Sequence, residues 1–93
     1  MRVALLRIEM HFFETRSLKD KRSALARLRA ELRKRFNVSV TELDHQDLWQ
    51  RATFGLAFFA PHADAARAEE EKILRFLESR LPGEIVEHTL ELC

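Results

Sequence analysis

The amino-acid sequence predicts an α+β domain in which two helices cover one face of a four-stranded antiparallel sheet. Two segments in the first half of the chain alternate apolar and polar residues, as strands covered on one face do. A third segment is almost continuously apolar, as a central strand should be. Two longer segments repeat apolar residues at the spacing of an amphipathic helix. Their order along the chain is strand, helix, strand, strand, helix, strand.

The first half of the chain predicts a strand, a helix and a second strand. Residues 3–12 alternate, with the apolar side chains on one side. Ser17, followed three residues later by Asp20, is typical of a helix N-terminus. We therefore expect an amphipathic helix over residues 18–35, about 27 Å long. Residues 37–43 alternate again and are rich in β-branched side chains, which predicts the second strand. The buried stripe expected for this helix is Leu18, Leu25, Leu28 and Leu32.

The second half predicts a hairpin connection over residues 44–48 and a third strand that begins at residue 49 or 50 and ends at residue 60. Pro61 terminates that strand. The segment 63–80 has the pattern of a second helix. Its expected buried stripe is Ala66, Ile73, Leu74, Leu77 and Leu81.

The end of the second helix leads into the last strand. Gly83 follows Leu81 and Pro82, and we expect it to supply a left-handed C-cap. Residues 85–92 form the fourth strand. Right-handed crossovers then place the strands in the order 4-1-3-2, which is the ferredoxin-like βαββαβ plait.

With 93 residues, two Gly and two Pro, the chain predicts a single domain over residues 1–93 without a linker.

Composition indicates a soluble cytoplasmic protein. The single cysteine, Cys93, is the last residue, so no intrachain disulfide can form and a reducing compartment is expected. Arg2 and Arg7 interrupt the first apolar run, which does not resemble a signal peptide. No run approaches the ~18 apolar residues that a membrane helix needs.

The sequence offers no catalytic or cofactor motif. Two glycines cannot build a phosphate-binding loop. Acylphosphatases share the predicted topology but bind phosphate in a glycine-containing loop after the first strand, whereas residues 13–16 contain an acid and no glycine. Asp44, His45 and Asp47 carry ligand-type side chains, but a hairpin loop cannot easily aim all three at one ion. We therefore predict no enzyme, no metal and no cofactor, and we expect Trp49 to pack against the sheet edge or to mark a contact point.

Two segments carry a resemblance to a known family. Residues 17–22 read Ser-Leu-Lys-Asp-Lys-Arg, and residues 37–52 run from Asn-Val-Ser-Val to Trp-Gln-Arg-Ala. They resemble the signature segments of the bacterial YlxP-like family, classed as domain of unknown function family 503. The resemblance implies a small ferredoxin-like protein with no established activity, often encoded beside translation and ribosome-assembly genes. It carries over no catalytic residue.

The charge of the chain is strongly segregated. Residues 1–36 contain eleven Lys or Arg and four Asp or Glu, a net +7, whereas residues 37–93 contain five and eleven, a net −6. A polyanion such as RNA, free or in the ribosome, is therefore a candidate partner. Five phosphate contacts would give a slope of about −4.5 in log K against log salt for duplex DNA. Alternatively, the arginines solvate the helix and pair with acids such as Glu31. The candidate nucleic-acid-binding residues are Lys19, Arg22, Arg27, Arg29, Arg33 and Lys34.

The sheet is not expected to stack RNA bases. RNA-recognition motifs share this topology and place exposed aromatics on their first and third strands. Here the corresponding third-strand positions are Thr53 and Gly55, and Phe54 and Phe58 fall on the helix-covered face. The first strand also has no aromatic on its open face.

The open face of the sheet supports a second hypothesis, a homodimeric protein-interaction module. An apolar strip lies beside a polar zone there, and such strips are often covered by a partner. In a two-fold dimer, Arg7 of one chain could meet Glu9 of the other. The alternative is a half-solvated sheet in a monomer. The candidate partner face comprises Val3, Leu5, Arg7, Glu9 and Phe59.

Overall fold

The fold follows the predicted order of elements. A computed structural model of the chain describes residues 1–13, 17–43, 48 and 50–93. Both helices have the predicted bounds, and the second strand is shorter than predicted. The elements are β1 (Arg2–Phe12), α1 (Leu18–Arg35), β2 (Ser39–Glu42), β3 (Arg51–Ala60), α2 (Ala63–Arg80) and β4 (Gly83–Leu92).

The four strands form one antiparallel sheet in the order β2-β3-β1-β4, which confirms the ferredoxin-like plait. β1 lies between β3 and β4, with Leu6 opposite Leu56 on one side and Leu90 on the other. The β1–β4 register shifts between Glu9 and Met10, where β4 carries an extra residue. The edges of the sheet are therefore β2 and β4.

The core lies between the sheet and the two helices. Strand alternation places Leu6, Ile8 and Phe12 of β1 on the helix-covered face, where each is at most 1% exposed. Phe54 and Phe58 of β3 are buried on the same face, as predicted. The opposite face of the sheet carries neither helix and is called the open face below. Neither helix of the described chain is long and apolar enough to cross a membrane.

The first helix begins as the sequence predicts. The Oγ of Ser17 accepts a hydrogen bond from the backbone N–H of Asp20 at 3.2 Å, which satisfies one of the unpaired donors of the first turn. The predicted stripe is wrong at its start, because Leu18 is 36% exposed and Lys21 takes the buried position. Lys21 lies four and seven residues before Leu25 and Leu28, so helical spacing places it on the core side.

The second helix also buries most of its predicted stripe and adds Phe76, which the stripe did not include. The predicted left-handed cap at Gly83 is wrong. The helix ends on Leu81 with a φ of −72°, and Gly83 instead opens β4. There the backbone of β4 approaches β1 so closely that a Cβ on Gly83 would lie 1.9 Å from the carbonyl oxygen of His11. The glycine is needed for this approach, not for a turn.

The ends of the two helices are linked through Phe76. The guanidinium carbons of Arg35 and Arg80 lie 4.8 and 5.3 Å from the centroid of its ring. Arg80 also forms an ion pair with Glu31, at 3.3 Å. This contact joins α1 to α2 and uses the acid that the sequence offered as a partner for the basic helix.

Candidate nucleic-acid interface

Eight of the eighteen residues of α1 are Lys or Arg, and the structure divides them into two groups. One group is engaged by its own chain: Lys21, Arg33 and Arg35 each contact a described residue of another element. The second group faces solvent. It consists of Lys19, Arg22, Arg27 and Lys34, which are exposed, and Arg29, which is half-buried.

Lys21 is a structural residue that the sequence analysis counted only as one of the positive charges of residues 1–36. It is 0% exposed, and its ammonium donates hydrogen bonds to the carbonyl oxygens of Leu48 and of Arg51, the latter at 3.1 Å. Its Nζ also lies 3.9 Å from Oε2 of Glu42. These contacts fasten the start of α1 to the segment that joins β2 and β3. Helical spacing could have identified Lys21 as a buried residue, because position 21 lies on the same side of α1 as Leu25 and Leu28.

Arg33 is exposed but not free. Its Nη2 donates a hydrogen bond of 2.8 Å to the carbonyl oxygen of Val40. Val40 lies on β2, whose outer edge is unpaired in the sheet. A long side chain from α1 therefore covers part of an edge strand, which is one way in which proteins protect such edges. Of the six predicted binding residues, Arg33 is the one with this additional structural bond.

A groove runs between α1 and the edge of β2. Its volume is about 490 Å³, and it is lined by Arg22, Leu25, Ala26, Arg29 and Glu42. Arg22 and Arg29 are two turns apart, so their backbones are separated by about 10 Å along the helix axis. Ala26 between them keeps the groove open. The structure therefore brings two of the predicted cations together along one accessible channel.

Glu42, the acidic residue in this groove, pairs with Lys21 and not with Arg22 or Arg29. Oε2 of Glu42 is buried and accepts no hydrogen bond from any described residue, and its ion pair is with Lys21. Among the described residues, no carboxylate pairs with Arg22 or Arg29. The same holds for Lys19, Arg27 and Lys34. The solvent side of α1 thus keeps its positive charge uncompensated by described neighbours.

The open face of the sheet differs in character. The strand register places Val3 opposite Phe59 and Leu5 opposite Ala57, as the predicted apolar strip requires. Phe59 is 69% exposed and Leu5 is 42% exposed. The charges of the face are mixed, with basic residues on β1 and β3 and acidic residues along β4. The acidic residues of this face on β4 are Glu84, Glu87 and Glu91.

Glu9 lies 3.6 Å from Arg7 and 3.9 Å from Arg51 of the same chain. The contact of Arg7 with Glu9 of a second copy stays a prediction. Thr53 takes a third-strand position that was expected to be exposed on this face, but it is fully buried, and its hydroxyl has no hydrogen-bond partner among the described residues. Thr53 and Gly55 still leave β3 without an aromatic at the positions where RNA-recognition motifs stack bases.

A hollow of about 420 Å³ lies in the middle of the open face. Gly55 and Ala57 form its floor, and Leu5 and Leu43 stand beside it. The side chain of Leu43 leans over Gly55, so that a Cβ on Gly55 would meet Cδ1 of Leu43 at 2.8 Å. The space left by the missing side chain of Gly55 is therefore occupied by Leu43, which forms one wall of the hollow.

The histidines of the described chain lie at separate places in the fold. His11 lies on the open face and His88 on the helix-covered face, because His88 is opposite Ile8 in the register. Nδ1 of His88 donates to Oε2 of Glu70 at 3.1 Å, and Nδ1 of His62 accepts from the backbone of Ala65 at the start of α2. In the ranges that the structure describes, no three His, Cys, Asp or Glu side chains are grouped to hold a metal ion.

Several sequence predictions fall outside the described residues. They concern the acids and the histidine of the hairpin connection, the tryptophan that follows it, and part of the segment compared with the acylphosphatase loop. The residues outside the description are 14–16, 44–47 and 49.

Comparison with known proteins supports a family. The structure is similar to the de novo designed protein Ferredog-Diesel, with a TM-score of 0.49 and 16% identity over 96% of this chain and 83% of that one. In sequence, the chain is 35% identical over 71 residues to the uncharacterized protein YlxP of Bacillus subtilis (strain 168). The aligned residues cover 76% of this chain and 77% of that protein.

A family model matches almost the whole chain. The match spans residues 3–90, from β1 to near the end of β4, and the family is described as a protein of unknown function (DUF503). It includes both helices, the groove beside α1 and the open face of the sheet. The chain therefore belongs to the DUF503 family of proteins of unknown function.

Proposed function

We propose that this protein is a non-catalytic binding module that attaches to RNA, free or within the ribosome, through α1. The observation that carries the proposal is the group of five cations on the solvent side of this helix that no described carboxylate neutralises. They are Lys19, Arg22, Arg27, Arg29 and Lys34. An unneutralised row of this kind attracts a polyanion by releasing its condensed counterions.

The charges of the other surfaces favour binding of a polyanion at α1. α2 carries Glu69, Glu70 and Glu71 in succession, and β4 carries acids along the open face. A phosphate backbone is repelled by these surfaces and attracted by α1. The net +7 of residues 1–36 and the net −6 of residues 37–93 therefore fall largely on different elements, α1 on the one hand and α2 and β4 on the other.

The groove between α1 and β2 suits contact with phosphates better than recognition of bases. Arg22 and Arg29 flank it, and guanidinium groups bind phosphate oxygens in a bidentate manner. No aromatic side chain lines the groove among the described residues. Contacts of this type fix the position of a nucleic acid without reading its sequence. We therefore expect affinity for RNA with little base preference.

The experiment is charge reversal with a matched control. Binding of the purified protein to RNA and to ribosomes is measured at low ionic strength for the wild type and for the double variant Arg22→Glu with Arg29→Glu. The control is Arg67→Glu with Arg75→Glu, which makes the same change in net charge at two exposed arginines of α2. Circular dichroism checks that all three proteins are folded.

The proposal expects the α1 variant to lose at least tenfold in affinity, while the α2 variant stays within about threefold of the wild type, because only α1 contacts the phosphates. Equal losses in both variants would mean that only the net charge matters. A wild-type protein that binds neither RNA nor ribosomes would overturn the proposal outright.

A further inference from the structure

The open face of the sheet exposes large apolar side chains. Phe59 is 69% exposed, Leu43 is 43% exposed and Leu5 is 42% exposed, and all three project from the same side of the sheet. Soluble proteins seldom leave a contiguous apolar patch of this kind uncovered. This patch lies on the side of the sheet opposite α1, so the proposed RNA contact does not cover it.

The same face has both a projection and a depression. Phe59 projects from β3, and the hollow of about 420 Å³ over Gly55 and Ala57 begins one pair of residues further along the strand. Leu5 and Leu43 supply apolar walls for this hollow. A hollow of this size accepts an aromatic side chain, and its walls offer the contacts that such a ring needs.

We infer that the open face binds a second copy of this chain, with Phe59 of each copy seated in the hollow of the other. In a two-fold dimer the same patch is used twice, so the patch must be complementary to itself. Suppose that the two-fold axis lies between the two facing sheets, perpendicular to the strands, and passes over Ala57. A residue two positions after Ala57 in one copy then lies over the residue two positions before Ala57 in the other copy. Phe59 of each copy then lies near Gly55 of the partner and enters the hollow beside Leu43.

The area is sufficient for a modest dimer. Three strands of ten or eleven residues and the four residues of β2, at about 3.3 Å per residue and about 4.8 Å between strands, give a face of about 550 Å². Two such faces bury about 1,100 Å², just above the ~1,000 Å² that a specific protein–protein interface needs. The face is thus large enough to hold a second copy, and small enough that substitution of one central aromatic should disrupt the pairing.

The charges of the face are of both signs, so they give no preference to a strongly acidic or a strongly basic partner. Arg7 and Arg51 lie on the face together with Glu9, and exposed Glu87 and Glu91 line its β4 side. Apolar centres surrounded by a polar, solvent-exposed rim are usual in protein interfaces. The pairing leaves α1 of each copy on an outer surface, so it is compatible with the proposed RNA contact and independent of it.

The test is the mass of the protein in solution, measured by sedimentation equilibrium over a range of concentrations, without RNA. We expect the wild type to approach twice its monomer mass of 10.9 kDa. Phe59→Arg and Leu43→Arg should each weaken the dimer at least tenfold, because both place a charge in the apolar contact. Val86→Arg is the control, since Val86 is also an exposed apolar residue but lies at the register shift of β4, on the edge of the sheet.

Several outcomes would overturn the inference. A wild type that stays monomeric at the highest concentration would do so, as would a dimer that survives both face variants. A monomer that carries a small molecule in native mass spectrometry, lost in Leu43→Arg, would make the hollow a ligand site instead. A stable complex with a different protein that Phe59→Arg abolishes, formed by a monomeric wild type, would assign the face to that partner.

Discussion

The ammonium group of Lys21 lies 3.9 Å from Oε2 of Glu42, with the two side chains 1% and 17% exposed. Two backbone carbonyl oxygens, of Leu48 and Arg51, accept hydrogen bonds from the same ammonium group. The most basic segment of the sequence therefore contains a cation that belongs to the interior. It joins the first turn of α1 to the β2–β3 connection beside the proposed binding groove.

Replacement of Lys21 by Met should strongly destabilise the protein. The change removes the charge that Glu42 faces and leaves two carbonyl oxygens without their donor, and breaking a buried pair in this way typically costs about 3–5 kcal/mol. Urea unfolding followed by circular dichroism measures the free energy of unfolding. The matched control is Lys19→Met, where the lysine is exposed and the expected change is within about 0.5 kcal/mol. Similar unfolding midpoints for the two variants would show that Lys21 has no structural role.

Arg33 should behave differently from the other cations of α1. Its bond to the carbonyl oxygen of Val40 links α1 to the edge strand, so Arg33→Gln is expected to cost about 1 kcal/mol of stability. Arg22→Gln should leave stability nearly unchanged and should weaken RNA binding more than Arg33→Gln does. Unfolding and RNA titration of both variants provide the comparison. The reverse ranking in the RNA titration would contradict the division of the cations described above.

The two glycines should respond very differently to an added methyl group. In Gly83→Ala the new Cβ meets the backbone oxygen of His11 at 1.9 Å, and the strands must separate to admit it. We expect a loss of at least about 2 kcal/mol in the free energy of unfolding. In Gly55→Ala the Cβ meets the end of the flexible Leu43 side chain, which can rotate away, and the expected loss is below about 1 kcal/mol. Comparable losses would indicate that β4 does not approach β1 as closely as described.

The N-cap of α1 gives a fourth test. Ser17→Ala removes the oxygen that accepts a hydrogen bond from the N–H of Asp20, at an expected cost of about 1 kcal/mol. Ser23→Ala, in the exposed interior of the same helix, should be neutral or slightly stabilising because Ala has the higher helix propensity. Thermal unfolding of the two variants separates the cap from the general effect of losing a hydroxyl. A Ser17→Ala protein as stable as the wild type would argue against the cap.

Local signals predicted the fold well. The hydroxyl of Ser17 and the alternation of β1 depend only on neighbouring residues, and both appear in the structure as the sequence indicates. The bounds of both helices followed from the same kind of signal. The order of the strands then followed from the handedness of the crossovers, which leaves few alternatives.

The errors arose where distant parts of the chain meet. Lys21 was not included in the predicted buried stripe, although its spacing from Leu25 fits the core side. Gly83 was taken as a helix cap because glycine usually serves that role after a helix, whereas its contact is with β1, far away in sequence. The hydrogen bond from Arg33 to Val40 also depends on how α1 lies against β2. None of these contacts can be inferred from local periodicity alone.

The salt dependence of RNA binding tests the central claim most directly. If the five solvent-facing cations of α1 contact phosphates, log K for single-stranded RNA should fall with log salt at a slope of about −3.5, and Arg22→Gln with Arg29→Gln should reduce that slope by about 1.4. The measurement is a fluorescence-anisotropy titration at several salt concentrations. Binding that does not respond to salt, or a slope that the double variant leaves unchanged, would contradict the assignment of α1 as the nucleic-acid interface.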